Sequence, residues 1–429
     1  MDEFKKKLID QEFKEINYKK FIPGQDFVPV SGKIIDKEEV SMMIDAALDG
    51  WLTTGKFNSL FENKLAKFLG VKLLMTVNSG SSANLVAFSC LTSPKLKERA
   101  ILQGDEVITA AAGFPTTVNP IIQNGAIPVF IDSKMGNYNI DENKIENAIT
   151  KKTKAIMVAH TLGNPFELNT INALCKKYNL WLIEDNCDSL GSKYDNKFTG
   201  TFGDIATLSF YPAHHITMGE GGAIFTNNMR LKRIAESFRD WGRDCYCEPG
   251  KDNTCNKRFG WKLGDLPFGY DHKYTYSHMG YNLKITDMQA ACGLAQLNKL
   301  ELFINKRKEN FNFLYSLLKE FEDYFILPEA TTNSEPSWFG FPLTVRDCNL
   351  INRESLLKFL NEKKIGTRLL FAGNLTKQPY MKNIKYKIAD DLNVADKIMK
   401  NTFWIGVFPG LHKDHFQYIY EAFKVFLKK

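Results

Sequence analysis

The chain has 429 residues, 44% hydrophobic and 24% charged, enough to bury a large core in two domains. No run of about 18 apolar residues is present to cross a bilayer, and the opening MDEFKKKLIDQEFKEINYKKF lacks the continuous apolar stretch of a secretion signal, so the cytoplasm is the expected compartment. A formal charge of +7 is spread along the chain, including the Lys-rich stretch from Lys5 to Lys20; it suits an anionic small ligand, and no nucleic-acid-reading motif accompanies it.

Residues 1–35 read as an N-terminal helical arm, because their apolar positions recur at helical spacing. A large domain, 36–285, follows. From Val71 to Thr226 short β-rich runs alternate with helical stretches: KLLMTV, DEVITA, IPVFID, KAIMVAH, LWLIED, IATLSF and GGAIFT. Seven such runs predict a seven-stranded, mainly parallel sheet covered on both faces, an α/β fold. An irregular insert rich in Gly, Cys and aromatic residues runs from Arg239 to Tyr281. Residues 286–429 then supply a linking helix and a smaller α/β domain, with FGFPLTV and GTRLLF as strands.

Ligands of open α/β sheets sit at the carboxyl ends of the strands, and most of the unusual residues fall there. Asn78-Ser79-Gly80-Ser81-Ser82 lies between a strand and a helix, where free N–H groups, hydroxyls and the helix dipole can hold a phosphate. Phe114, in a loop after DEVITA, is placed to stack on an aromatic ring. Asp185 ends WLIED and is suited to pair with a protonated pyridine nitrogen, making the ring an electron sink. Ser209, at the end of ATLSF, adds another hydroxyl for phosphate.

In this order, with SFYPAHHITMGEGGAIFTN and GYNLKITDMQAACGLAQL, these features resemble the DegT/DnrJ/EryC1/StrS sugar aminotransferase and dehydratase family of fold-type I pyridoxal phosphate enzymes. In that family a lysine five residues after the strand serine carries the cofactor as an imine. The matching residue here is His214. Imidazole forms no stable Schiff base, so the resemblance implies a cofactor held without a covalent link, as pyridoxamine phosphate (PMP), with His214 as general base. It also implies that Asn282 reaches the cofactor phosphate of a partner subunit in a homodimer. Asp188 stands where relatives usually have Gln, which unsettles any contact with the cofactor's phenolic oxygen.

Eight cysteines in a cytosolic chain do not make a disulfide framework. Cys90, Cys175, Cys292 and Cys348 read as buried thiols. Cys245, Cys247 and Cys255 form a C-x-C-x7-C array that needs a fourth ligand, and Cys187, two residues after Asp185, is the candidate. An extended dipeptide reaches only about 7 Å, so such a centre must lie beside the pyridine ring. Four thiolates suit either zinc or an iron-sulfur cluster.

With the histidine-for-lysine exchange, the spacing resembles the family's iron-sulfur 3-dehydrases. That implies PMP and a 2Fe-2S cluster, a CDP-linked 4-keto-6-deoxyhexose as substrate, and an NADH-dependent iron-sulfur flavoprotein reductase as partner. Arg368, Phe371 and Asn374 are expected to line the sugar-nucleotide site. The competing readings are a GDP-4-keto-6-deoxymannose 3-dehydratase, which needs no cluster, and a non-catalytic cofactor-binding protein. Over the active site, the insert is expected to form a loop rather than a separate domain.

Overall fold

The computed structural model describes residues 2–12, 21–245, 247, 250, 252–347 and 351–427. Cys348, expected as a buried thiol, lies outside them. Helices α1 (Asp2–Glu12), α2 (Lys37–Leu48) and α3 (Lys56–Leu69) precede the sheet. There follow β1 (Leu73–Val77), α4 (Gly80–Leu91), β2 (Glu106–Ala110), α5 (Pro115–Gln123), β3 (Ile127–Ile131), α6 (Glu142–Ala148), β4 (Thr153–Ala159) and α7 (Leu168–Tyr178). Strands β5 (Trp181–Asp185), β6 (Ile205–Ser209) and β7 (Gly222–Thr226) complete the set, and α8 (Met229–Arg239) closes the domain.

All seven expected runs form strands, in the order β1-β7-β6-β5-β4-β2-β3. Only β7 runs antiparallel to its neighbours. The strands read as mainly apolar runs because helices cover both faces. Met75, Val107 and Ile183 pack under α4 and α8, while Ile108, Ile156 and Leu182 pack under α6 and α7. An eighth segment, Lys387–Ile388, adds in parallel to β3.

Asp287 to Phe321 is two helices rather than one linking helix: α9 (Asp287–Leu297) and α10 (Leu300–Leu318), parted at Asn298–Lys299. A capping box fixes the start of α9, with Thr286 accepting from the Gln289 N–H and the Gln289 side chain accepting from the Thr286 N–H. The smaller domain adds β8 (Phe325–Ile326), β9 (Gly340–Val345), α11 (Arg353–Glu362), β10 (Arg368–Leu369), α12 (Asn393–Asn401), β11 (Thr402–Gly406) and α13 (Lys413–Leu427). Its antiparallel sheet has the order β8-β9-β11-β10 over a core that includes Phe341, Phe403 and Phe423. The N-terminal arm is helical in Asp2–Glu12, whereas residues 27–30 run extended and join this domain: the Val28 N–H donates to Lys364 O and Val28 O accepts from the Gly366 N–H, both at 2.8 Å.

The insert, expected over the active site, instead seats on α8. His278 pins it there: Nε2 meets Ser93 Oγ at 2.7 Å, Nδ1 meets Ser237 Oγ at 2.8 Å, and the ring stacks on Phe238. Gly242, at φ +82°, lets the chain pass so close to the His278 carbonyl that any side chain there would collide with it.

Candidate active site

A cavity of about 780 Å³ opens where the carboxyl ends of β5 and β6 meet the N-terminus of α4 and the β10 segment of the smaller domain. Asp185 forms part of its wall and is held by three donors. Its Oδ2 accepts from Asn84 Nδ2 at 2.8 Å and Thr117 Oγ1 at 2.6 Å, and its Oδ1 accepts from the Cys187 N–H at 3.2 Å. Thr207 Oγ1 donates to Asn84 Oδ1 at 2.7 Å, which fixes the orientation of that amide. At the other end, Ser79 caps α4 by accepting from the Ser82 N–H at 3.0 Å. Gly80 lies so close to β6 that a Cβ on it would come within 2.5 Å of Ser209 Cβ and 3.2 Å of Cys187 Sγ. Glycine thus brings the first amides of α4 against the serine, a cradle for a phosphate group. Phe114 lines the cavity and meets Phe371 edge to face at 6.0 Å.

His214 enters this cavity on the loop after β6, its ring 5.1 Å from that of Phe339. Burial, with the nearby Arg307 guanidinium, lowers its pKa to about 4. Asp188 Oδ1 lies 3.5 Å from His214 Nδ1, and burial together with the Asp185 carboxylate raises the Asp188 pKa to about 8. Near neutrality the imidazole is therefore a free base facing a protonated carboxyl, not half of an ion pair. His214 Nδ1 has no hydrogen-bond partner among the described residues. His215 turns away, its Nε2–H donating to the Ser337 carbonyl at 2.8 Å. No lysine lines the cavity among the described residues.

Arg307, a residue that sequence reasoning missed, supports this loop. It is 1% exposed and donates to the carbonyls of His214 (3.1 Å), Ala213 (3.3 Å), Phe339 (3.2 Å) and Trp338 (3.4 Å). It sits in the charged stretch INKRKEN, which reads as solvated surface. Asn84 and Thr117 were missed as well, since polar residues in helices carry no sign of what they hold.

Arg368 and Phe371 line the cavity as expected. Asn374 does not: it is buried, accepts from the Thr376 N–H and donates to Asp396 Oδ1 at 2.7 Å, so its amide holds its own turn together. Asn282 lies outside the cavity, exposed at the root of the insert, with Lys284 Nζ donating to its Oδ1 at 2.7 Å.

The expected four-sulfur centre is not assembled. Cys245 and Cys247 sulfurs and a His272 ring nitrogen lie within 4.8 Å of one another, and Cys255 Sγ is 3.4 Å from His272 Nε2. Cys187 belongs to no such group among the described residues. The turn after β5 holds it in the wall of the large cavity against Gly80, while the insert is anchored on α8. Burial raises the Cys247 pKa, but hydrogen bonds from the Thr254 hydroxyl, the Cys255 N–H and the neighbouring thiols bring it down to about 7, a thiol poised to bind metal. His272, 17 residues after Cys255 and outside the C-x-C-x7-C array, gave no signal. Cys90, Cys175 and Cys292 are buried, as expected.

The sheet, the acidic strand end and the phosphate cradle define a pyridoxal phosphate-dependent aminotransferase fold. The chain belongs to the DegT/DnrJ/EryC1/StrS aminotransferase family, whose model matches residues 33–424. It is 62% identical to the lipopolysaccharide biosynthesis protein RfbH of Salmonella typhimurium over 95% of this chain and 93% of that one. To the dTDP-4-dehydro-2,6-dideoxy-D-glucose 3-dehydratase of Saccharopolyspora spinosa it is 50% identical, over 95% of this chain and 88% of that one. Among solved structures, the Escherichia coli GDP-4-keto-6-deoxy-D-mannose-3-dehydratase with bound hydrated PLP superposes with a TM-score of 0.82 at 29% identity, covering 92% of this chain and 99% of that one.

Proposed function

We propose that this chain is a PMP-dependent nucleotide-sugar 3-dehydratase that removes the carbon 3 hydroxyl of a CDP-linked 4-keto-6-deoxyhexose, in the assembly of 3,6-dideoxyhexoses for lipopolysaccharide. The observation that carries this reading is His214, a half-buried imidazole whose pKa is lowered to about 4, in a cavity lined by no lysine among the described residues; by the sequence resemblance it stands where the family has its imine-forming lysine. The cavity residues fit the cofactor: Asp185 for the pyridine nitrogen, the α4 amides with Ser81 and Ser209 for the phosphate, and Phe114 against the ring. PMP held there would supply an amine to condense with the 4-keto group and a ring to take up electrons. His214 takes the proton from the carbon bearing that amine, and Asp188, which carries a proton at neutral pH, stands 3.5 Å from it as a proton source for the departing hydroxyl.

Net replacement of C–OH by C–H with release of water consumes two electrons and two protons. We assign the electrons to an NADH-dependent iron-sulfur flavoprotein reductase acting through a 2Fe-2S centre on Cys245, Cys247 and Cys255, with Cys187 as the proposed fourth thiolate. Three thiols around an imidazole support a metal centre in the insert. A homodimer in which Asn282 reaches the partner's cofactor is part of the same proposal.

Borohydride treatment of the loaded enzyme should leave no pyridoxyl-lysine, and denaturation should release the cofactor intact; a pyridoxyl-lysine peptide would sink the assignment. The likeness to the GDP-sugar dehydratase, one structure of which holds a trapped PLP-glutamate geminal diamine, favours a second reading, in which glutamate regenerates the amine and no iron is needed. Glutamate-dependent turnover by iron-free protein would select it.

A further inference from the structure

A second cavity, of about 10 Å³, adjoins the loop after β6; among the described residues, His214 alone lines both it and the cofactor cavity. His215 and Arg307 form part of its wall. Each of these three side chains brings one buried nitrogen with no hydrogen-bond partner among the described residues: His214 Nδ1, His215 Nδ1 and Arg307 Nε. The buried Thr217 and Gln296 of the same wall are already satisfied. Thr217 Oγ1 donates to the Phe210 carbonyl at 3.1 Å, and Gln296 accepts from the Thr217 N–H while donating to the Ile34 carbonyl and to Glu39. Arg307 gives its two terminal nitrogens to four carbonyls, which leaves the Nε–H as its remaining donor. Burial and that guanidinium hold the His215 pKa well below the ordinary histidine range, so its ring is neutral. Because its Nε2–H goes to Ser337, its Nδ1 can only accept. About 10–15 Å³ admits one water, which needs two to four polar partners, and this wall offers three.

We propose that one buried water sits here, accepting from Arg307 Nε–H and His214 Nδ1–H and donating to His215 Nδ1, and that it fixes the tautomer of His214. With its proton on Nδ1, the imidazole keeps the lone pair of Nε2 for the cofactor cavity. Which ring nitrogen of a histidine is free is set by the bond that the other one makes. The competing partner is Asp188, whose carboxyl donating to Nδ1 would leave the proton on Nε2 and no base in the cavity. At 3.5 Å that contact is too long to hold the ring against two-sided support from the water. His215 and Arg307 are therefore positioning residues that act through the water. The inference rests on His214 being the base of the proposed function, and it names what selects the basic nitrogen.

The test pairs two substitutions that divide the His215 ring. A glutamine amide reaches where Nε2 lies, so His215→Gln keeps the donor to Ser337 and gives up the water. An asparagine amide reaches where Nδ1 lies, so His215→Asn keeps the water and gives up Ser337. The full-length enzyme is loaded with PMP tritiated at the carbon bearing its amine and given CDP-linked 4-keto-6-deoxyglucose. His215→Gln should release tritium about ten-fold more slowly with cofactor affinity unchanged, and His215→Asn should recover most of the rate. A merely structural role predicts the opposite order, since the Ser337 carbonyl is then the contact that counts. The opposite order, or equal rates in the two variants, overturns the proposal. A crystal structure of the wild-type enzyme should show one water about 2.7–3.2 Å from all three nitrogens. A ¹⁵N spectrum of histidine-labelled protein should place the His214 proton on Nδ1. No water at that position, or the proton on Nε2, overturns the proposal as well. Unchanged tritium release in His214→Asn fails the base reading of the proposed function itself, while the density and the spectrum still decide the water, so the two fail separately.

Discussion

The cofactor cavity and the cysteine insert answer to different physics. The cavity is built on strand ends, and its carboxylate is fixed by its neighbours, Asp185 by Asn84, Thr117 and the Cys187 amide. Among its described residues the insert is irregular, with a 3₁₀ turn at His272–Tyr274, and His278 tethers it to α8. Preorganisation suits proton transfer, which tolerates little misplacement. The metal centre proposed for the insert would bring its own ordering energy.

The sharpest way to break this contrast is to remove ligands from the insert. Cys245→Ser or Cys247→Ser should abolish iron binding and net deoxygenation, while loss of the carbon 3 hydroxyl, followed by oxygen exchange, continues. If both halves fall together and zinc is found, the site is structural. Cys187→Ser should also lose iron; full iron in that variant, with loss in His272→Ala, would make the histidine the fourth ligand instead.

In the cavity, His214→Asn should slow proton abstraction by roughly 10²- to 10⁴-fold with cofactor still bound. Unchanged tritium release from labelled cofactor would hand the base role to another residue. Asp185→Asn removes the charged partner proposed for the pyridine nitrogen and should weaken cofactor binding by about 10- to 100-fold, as read by equilibrium dialysis.

Arg307→Met leaves four carbonyls without their donor and should lower unfolding stability by about 2 kcal/mol, with Arg307→Lys in between. Stability should also depend on pH. Asp188 keeps its proton up to about pH 8 in the native state but loses it near 4 when unfolded. The native state therefore binds the extra proton in that window, and stability falls as pH rises through it. Asp188→Asn should flatten the slope, and an unchanged slope in chemical denaturation would show that the carboxyl is ionised in the native protein.

What the sequence made legible follows from where apolar pattern decides the outcome. The seven runs of the large sheet were readable because strands buried on both faces are mainly apolar, without strict alternation. Their order was not, since nothing in a single run names its neighbour. In the smaller domain TFWIG was overlooked, although β11 is central, while GTRLLF yields only the two residues of β10. Residues set by local chain chemistry were found: Gly80, Ser81, Asp185, Ser209 and His214 all line one cavity. Residues set by long-range contact were missed or misplaced, as with Arg307, His272 and Asn374.

Arg307 also joins two parts of the molecule that are distant in sequence. Its acceptors are the carbonyls of Ala213–His214, on the loop after β6, and of Trp338–Phe339, which lead into β9 of the smaller domain. One rigid, planar group thus works as a tie rod between the lobes. Any shift of Trp338–Phe339 relative to the large sheet would be carried through it to the loop that bears His214.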